Sequence, residues 1–152
     1  MKIPSDIEKK RILLGNKSIA DNEDAFHIGY GTDENFVMPM GVSIVSVLEN
    51  NQTKPVAFHI LTEYISEESK SKLEQIVKKY PQSAICIHYL DLSVLDGLPL
   101  FSSLGKAAYI RIFLDQILPQ SLDRILYLDG DIICLGDLEE LSKKSFEKAT
   151  VM

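Results

Sequence analysis

The sequence has few cysteines, no long apolar run and no excess of positive charge. Its two cysteines, Cys86 and Cys134, show no CxxC or mixed cysteine and histidine spacing, which argues against a zinc site or a disulfide framework. The apolar runs are of strand length, well below the roughly 20 residues of a membrane-spanning helix, and none suits a signal peptide. The 16 basic residues face 22 acidic ones, a formal net charge of −6, whereas nucleic-acid binding needs a basic face. We therefore expect a protein that is not exported and has no nucleic-acid partner.

The chain has the size and composition of a single globular domain. It has 152 residues, of which 45% are hydrophobic and 25% charged, in the ordinary range for folded proteins. Residues 1–24 are polar and show no sustained period, which predicts a flexible or loosely packed leader. We expect the folded domain to span residues 25–152.

Strand-like and helix-like segments alternate from Ala25 onward. Runs rich in branched and aromatic residues predict strands, and apolar residues at helical spacing predict helices. The predicted strands cover residues 25–31, 56–62, 84–90 and 124–128, and the predicted helices cover 36–48, 66–80 and 106–118. The alternation predicts an α/β fold: a Rossmann-like, mainly parallel sheet with helices on both faces. Ligands of such sheets bind outside the carboxyl ends of the strands, where the strand order reverses.

Asp129, Gly130 and Asp131 directly follow the predicted strand 124–128. Two carboxylates one residue apart suit Mn²⁺ or Mg²⁺, which prefer oxygen ligands and keep positions open for phosphate oxygens. A glycine between them allows a bulky anion to approach the backbone. The alternative is a turn with solvated acids, since Asp-Gly is a common turn pair. The apolar segments on either side favour the metal, because a carboxylate beside a buried strand needs a partner.

Gly31, Thr32, Asp33 and Asn35 lie at the carboxyl end of the first predicted strand. Asp33 could accept a hydrogen bond from the imide N–H of uracil, and Asn35 could bind a ribose hydroxyl. The alternative is an Asx turn that leads into the next helix.

Four further polar side chains lie in apolar segments. Arg111 either extends its charged group to water or contacts a diphosphate or sugar hydroxyls through its fork of donors. The other three are histidines inside predicted strands, His27, His59 and His88, for which we predict a structural role with satisfied hydrogen bonds.

Taken in order, these segments resemble glycosyltransferase family 8, and in particular its bacterial lipopolysaccharide core glucosyl- and galactosyltransferases. The resemblance runs from about Ala25 to Leu141. It is carried by the segments Ile28–Phe36, Gly41–Ile44, Phe58–Leu61, Tyr109–Arg111 and Leu126–Asp131.

The resemblance implies a GT-A fold, a UDP-glucose or UDP-galactose donor, a Mn²⁺ or Mg²⁺ ion and transfer with retention of configuration. By the same resemblance Asp33 and Asn35 would contact uridine, Asp129 and Asp131 would hold the metal, and Arg111 would meet the donor sugar. The implied acceptor is the lipopolysaccharide core or another glycan. The implied location is the cytoplasm, with at most peripheral contact with the cytoplasmic face of the inner membrane. No catalytic nucleophile is assigned.

The sequence differs from the family in its length. Family members continue beyond this point to a third metal ligand and much of the acceptor pocket, so we expect a domain that is incomplete at its C-terminus. One alternative is therefore a non-catalytic or inactive nucleotide-sugar-binding fragment. A second is a phosphatase of the haloacid-dehalogenase type, which also carries two aspartates after a strand but needs further residues downstream.

Overall fold

The computed structural model describes residues 7–96 and 106–144, and in these ranges the chain forms a five-stranded sheet in the order β1-β4-β3-β2-β5. The strands are β1 Glu8–Gly15, β2 Phe26–Gly31, β3 Val56–Thr62, β4 Ser83–Leu90 and β5 Leu126–Tyr127. Strands β2 to β5 are parallel, and β1 pairs with β4 in the antiparallel direction. The mainly parallel sheet predicted from the sequence is confirmed.

Helices connect the strands. The α-helices are α1 Lys17–Ala20, α2 Val37–Asn50, α3 Glu67–Lys79, α4 Leu114–Ile117 and α5 Glu139–Ser142. Within the described ranges, three 3₁₀ helices cover Glu34–Phe36, Leu92–Leu95 and Lys106–Phe113. In the parts of the chain that the structure describes, no helix is long and apolar enough to cross a membrane.

Side chains on both faces of the sheet are buried against helices. Successive side chains of a strand point to opposite faces of the sheet. Ile28, Phe58 and Ile85 lie on one face and pack against α2 and α3, in a cluster that includes Ile44 and Leu73. On the opposite face, the main cluster includes Leu61, Ile110, Phe113 and Leu114, from β3, the 3₁₀ helix Lys106–Phe113 and α4. Helices on both faces are therefore confirmed.

The N-terminal residues include a strand, so the prediction of a loosely packed leader is wrong for Glu8–Gly15. Strand β1 lies at the edge of the sheet, where Ile12 pairs with Ile87 and Leu14 with Ile85. Its first residues are charged, as edge strands often are, so the alternating pattern that marks a half-buried strand is weak. Residues 1–6 lie outside the described residues.

Two predicted elements near the C-terminal part differ in detail. The helix predicted over 106–118 is a 3₁₀ helix followed by the short α4, and it ends before Pro119, which forces Leu118 into an extended conformation. The strand predicted over 124–128 is reduced to Leu126–Tyr127, since β5 pairs only with Ile28 and Gly29 of β2 in the described sheet. Helix α3 is confirmed: the Ser66 hydroxyl caps it by accepting from the Ser69 N–H.

The predicted structural role of the histidines is also confirmed, and they form one hydrogen-bonded row across three strands. His27 Nδ1 lies 2.9 Å from His59 Nε2, and His59 Nδ1 lies 3.2 Å from His88 Nε2. The row ends on the Glu8 carboxylate, 2.6 Å from His88 Nδ1, and on the Asn22 carbonyl oxygen, 2.9 Å from His27 Nε2. All three rings are buried.

The strand order locates the switch point of the sheet. From β2 the chain proceeds outward to β3 and β4 on one side and later returns to place β5 on the other. The order reverses between β2 and β5, so the crevice expected to bind ligands lies outside the carboxyl ends of these two strands.

Candidate functional site

The loops after β2 and β5 meet at this crevice. The strands are parallel neighbours, with Gly29 beside Tyr127, and the Leu128 N–H extends the pairing by donating to the Gly29 carbonyl at 3.0 Å. A Cβ atom on Gly130 would lie 3.4 Å from Met40 Cβ and 3.7 Å from Phe36 Cδ1. The Asp129–Asp131 segment therefore packs against the start of α2, next to the loop that contains Asp33 and Asn35.

Asp129 and Asp131 lie in a turn rather than in a buried pocket. The Ile132 N–H donates to the Asp129 carbonyl at 3.2 Å, and both aspartates are exposed. Ile132 and Ile133 are 44% and 50% exposed, so the apolar segment after the aspartates is not a buried strand. The prediction that the aspartates lie between two buried apolar segments is therefore wrong. Asp129 nevertheless has a charged partner within the protein.

That partner is Arg111, from the 3₁₀ helix Lys106–Phe113. Its Nη2 donates to Asp129 Oδ1 at 3.0 Å, and its guanidinium lies 4.7 Å from the centre of the Tyr127 ring. Burial raises the pKa of the Tyr127 hydroxyl, the charge of Arg111 opposes that shift, and the Asp129 carboxylate adds to it. An aromatic ring and a carboxylate thus hold the Arg111 guanidinium beside Asp129.

The loop after β2 is held by its own hydrogen bonds. Asp33 Oδ1 accepts from the backbone N–H groups of Asn35 and Phe36, at 2.9 and 3.1 Å, and so caps the 3₁₀ helix Glu34–Phe36. This is the Asx-type turn that the sequence left open as an alternative. The contact does not exhaust the aspartate, because a carboxylate offers about four lone-pair sites. Asp33 and Asn35 are both exposed at the crevice.

Gly31 and Thr32 form the start of the same loop, where the chain leaves β2. Gly31 is the last residue of β2 and pairs with Leu61, and the Thr32 N–H donates to the Leu61 carbonyl at 3.0 Å. The Thr32 side chain is buried and its hydroxyl donates to the Asp33 carbonyl at 3.0 Å. These two residues shape the backbone of the loop, and Asp33 and Asn35 present its side chains.

The sequence predicted no role for Glu34 or Tyr127 in this region. The Glu34 carboxylate accepts hydrogen bonds from the Ser66 N–H, the Ser66 hydroxyl and the Ser69 hydroxyl, at 2.8, 2.7 and 2.8 Å. Tyr127 could have been found from its spacing, because it lies two residues before Asp129. Glu34 could not, because its partners are 32 and 35 residues further along the chain.

The oxygen donors present fit a divalent cation in part. Among residues 7–96 and 106–144 no group of three or more histidine, cysteine, aspartate or glutamate side chains is arranged to hold a metal ion. Two carboxylates after β5 match a hard cation that keeps water or phosphate oxygens in its remaining positions. Asp129 would share its carboxylate between such an ion and Arg111.

A mainly parallel sheet of this order, with helices on both faces, belongs to the GT-A fold. The structure matches galactosyltransferase LgtC in complex with donor and acceptor sugar analogues, with a TM-score of 0.71 and 22% identity over 80% of this chain and 43% of that one. It also matches the bifunctional glycosyltransferase WbbM, with a TM-score of 0.66 and 18% identity over 83% of this chain and 22% of that one.

The pattern described as Glycosyl transferase family 8 matches residues 27–152, and the chain belongs to this family. It is 37% identical over 123 residues to a lipopolysaccharide 1,3-galactosyltransferase of Salmonella typhimurium, which covers 81% of this chain and 36% of the relative. It is 35% identical over 142 residues to a lipopolysaccharide 1,2-glucosyltransferase of Escherichia coli, covering 93% of this chain and 40% of the relative. The chain thus spans well under half the length of these relatives, and the phosphatase alternative receives no support.

Proposed function

We propose that this chain forms the donor-binding part of a glycosyltransferase that transfers a hexose from UDP-glucose or UDP-galactose, with retention of configuration, to lipopolysaccharide core or another glycan. The proposal rests on family membership and on bacterial relatives named lipopolysaccharide galactosyl- and glucosyltransferases. The observation that carries it is the meeting of the two polar loops at the switch point. We place the reaction in the cytoplasm, with at most peripheral membrane contact.

The loop after β2 is suited to hold the nucleoside. Its exposed Asp33 carboxylate can accept from the imide N–H of uracil while it continues to cap the 3₁₀ helix. Asn35 is adjacent and can bind a ribose hydroxyl. Cytosine has no proton at the corresponding ring nitrogen, so Asp33 would favour uridine nucleotides.

The segment after β5 is suited to the diphosphate. Asp129 and Asp131 would hold a Mn²⁺ or Mg²⁺ ion, and Gly130 leaves room at the backbone for the phosphates. When bound, such an ion offsets the negative charge that develops on the departing UDP. Arg111 contributes a fixed positive charge next to Asp129 and can donate to phosphate or sugar oxygens.

Titration calorimetry with UDP tests the proposed donor and the role of the ion. We expect UDP to bind in the presence of Mn²⁺ and to bind much more weakly to Asp131→Asn. The matched control is Asp123→Asn, because Asp123 is an exposed aspartate that precedes β5, at the amino end of the strand. The control should bind UDP as the unaltered protein does. Equal UDP affinity with Mn²⁺ and with excess EDTA would show that these aspartates do not act through a metal ion.

A further inference from the structure

We propose that Glu34 is a positioning residue for the nucleoside loop, an inference that rests on the proposed function. Glu34 lies between Asp33 and Asn35 in the chain, but its carboxylate contacts Ser66 and Ser69 at the N-terminus of α3. The loop after β2 is thereby attached to a different element of the fold, the helix that follows β3.

The contact is stronger than an ordinary surface hydrogen bond. One carboxylate oxygen accepts from both hydroxyls and the other from the Ser66 N–H. The hydrogen bonds from the Ser66 side chain, the Ser66 backbone and the Ser69 side chain lower the pKa of Glu34, so the group is ionised at neutral pH. The negative charge also lies at the positive end of the α3 dipole.

The attachment extends to both halves of the site. Asp33 and Asn35 flank Glu34, and Phe36 packs beside Gly130 in the segment after β5. Fixing Glu34 therefore fixes the two side chains proposed for uridine and the apolar contact between the loops. A loop held in its binding conformation loses less entropy when the ligand binds.

The experiment compares Glu34→Gln with Glu68→Gln. Glu68 is also at the start of α3, but its carboxylate pairs with Lys72 on the same helix, so the control removes an equal charge without touching the loop. We expect Glu34→Gln to weaken Mn²⁺-dependent UDP binding about tenfold and to reduce the preference for UDP over CDP. Glu68→Gln should change neither.

Amide hydrogen exchange without ligand separates this inference from the proposed function. The Asn35 and Phe36 amides, which donate to Asp33, should exchange faster in Glu34→Gln than in Glu68→Gln. Faster exchange with unchanged UDP affinity, or unchanged exchange in both variants, would overturn the positioning role. If the unaltered protein does not bind UDP while exchange responds as expected, the proposed function is wrong and Glu34 still orders the loop.

The hydrogen bonds of the buried row formed by His27, His59, His88 and Glu8 support a second, independent inference. We infer that this row contains one proton more than the three protons of three neutral imidazoles next to an ionised carboxylate. The row makes four contacts of 2.6 to 3.2 Å, and each needs a proton between its two atoms. The Asn22 carbonyl at one end and an ionised Glu8 carboxylate at the other can only accept. Three neutral imidazoles supply three protons.

The fourth proton completes the row in any of four positions, since it can charge His27, His59 or His88 or protonate Glu8. Burial, followed by the charges of His88 and His27, lowers the pKa of His59 to about 3, in agreement with a neutral central ring. Burial lowers the pKa of His88, the hydrogen bond and charge of Glu8 oppose that shift, and the charge of Arg11 adds to it. Arg11 lies beside the row, with Cys86 and Asp21 near its guanidinium, and disfavours an added proton on His59 and His88 alike.

The added proton has a definite effect on stability. Unfolded histidines have a pKa of about 6.5, so at higher pH the unfolded chain does not hold this proton and the folded chain does. Above about pH 6.5 this proton stabilises the fold until the pH rises through the folded pKa of the row. Below about pH 6.5 the unfolded chain protonates all three histidines, whereas burial lowers the pKa of His59 to about 3, so stability is lost there as the pH falls.

Glu8→Gln is the informative variant, because an amide N–H can fill the contact to His88 Nδ1 without an ionisable proton. Unfolding calorimetry at pH 7.5, in buffers of different ionisation enthalpy, counts the protons released. We expect the unaltered protein to release about one more proton than Glu8→Gln. Equal release by the two proteins would overturn the inference.

Nitrogen-15 and carbon-13 NMR of the unaltered protein gives a test that needs no variant. Four protonated ring nitrogens with an ionised Glu8, or three with a protonated Glu8, support the added proton. Three protonated ring nitrogens with an ionised Glu8 overturn it.

Discussion

Replacement of Arg111 by methionine should affect ligand binding and stability very differently. Arg111 touches Asp129 and the Tyr127 ring at the edge of the crevice, and methionine keeps an apolar stem of comparable length while it removes the charge. The change therefore tests whether the arginine serves the fold or the ligand.

The expected effect on stability is small. The Arg111 and Asp129 side chains are 48% and 57% exposed, and exposed ion pairs contribute about 0 to 1 kcal/mol. The contact with the Tyr127 ring adds about 0.5 to 1 kcal/mol at such a site. Loss of charge-assisted hydrogen bonds to a diphosphate should cost about 1.5 to 3 kcal/mol of binding, or roughly 10- to 150-fold in Kd.

The assay pairs denaturant unfolding with titration calorimetry of UDP-glucose and UDP-galactose in Mn²⁺. Mn²⁺ alone should bind Arg111→Met more tightly than the unaltered protein, because a cation next to Asp129 is removed, whereas the sugar nucleotides should bind more weakly. Arg124→Met is the control, since Arg124 precedes β5 and contacts the Lys144 carbonyl at 3.1 Å. Unchanged sugar-nucleotide affinity, or a loss of unfolding free energy above about 2 kcal/mol, would refute a ligand-binding role.

Three further outcomes follow from the described contacts. Asp33→Ser keeps a capping oxygen but cannot reach a base, so it should remove most of the preference for UDP over CDP, about 1 to 3 kcal/mol in competition binding. The hydrogen bond from the Lys143 ammonium is the main reason that the pKa of Glu139 is lowered to about 2. The Glu139 carboxylate therefore stabilises the fold above its unfolded pKa of about 4.5, and this stabilisation is lost as the pH falls toward 2. Urea midpoints of the unaltered protein and Glu139→Gln should therefore differ at pH 7 and converge near pH 2. Phe58→Ala, in the fully buried centre of β3, should lower the unfolding free energy by about 3 to 5 kcal/mol, while the half-exposed Val42→Ala should change it by less than about 0.5 kcal/mol.

The elements that the sequence predicted well carry several independent signals. Helix α3 combines a serine cap, acids in its first turn, lysines in its last turn and apolar residues at helical spacing. Strand β3 is a continuous apolar run that is buried along its whole length. The position of the candidate site was predicted from strand alternation, because parallel strands place their carboxyl ends at one edge of the sheet.

The features that the sequence missed depend on tertiary partners. Strand β1 pairs with β4, about 75 residues away in the chain, and its charged first half has no apolar period of its own. The contact of Glu34 with Ser66 and Ser69 joins residues that no local pattern relates. The exposure of Asp129 and Asp131 was also misjudged, because an apolar stretch such as Ile132 and Ile133 can lie on a surface as well as in a core.

Strand β1 bears on how the protein can be shortened for study. The family match starts at residue 27, so a version trimmed to that boundary would lack Glu8–Gly15. Strand β4 would then become an open edge, with Ile85 and Ile87 in a row of unpaired backbone groups that invites pairing between molecules. His88 would lose the carboxylate that completes its hydrogen bonds. The smallest recombinant piece that preserves this sheet must therefore begin upstream of the region by which the family is recognised.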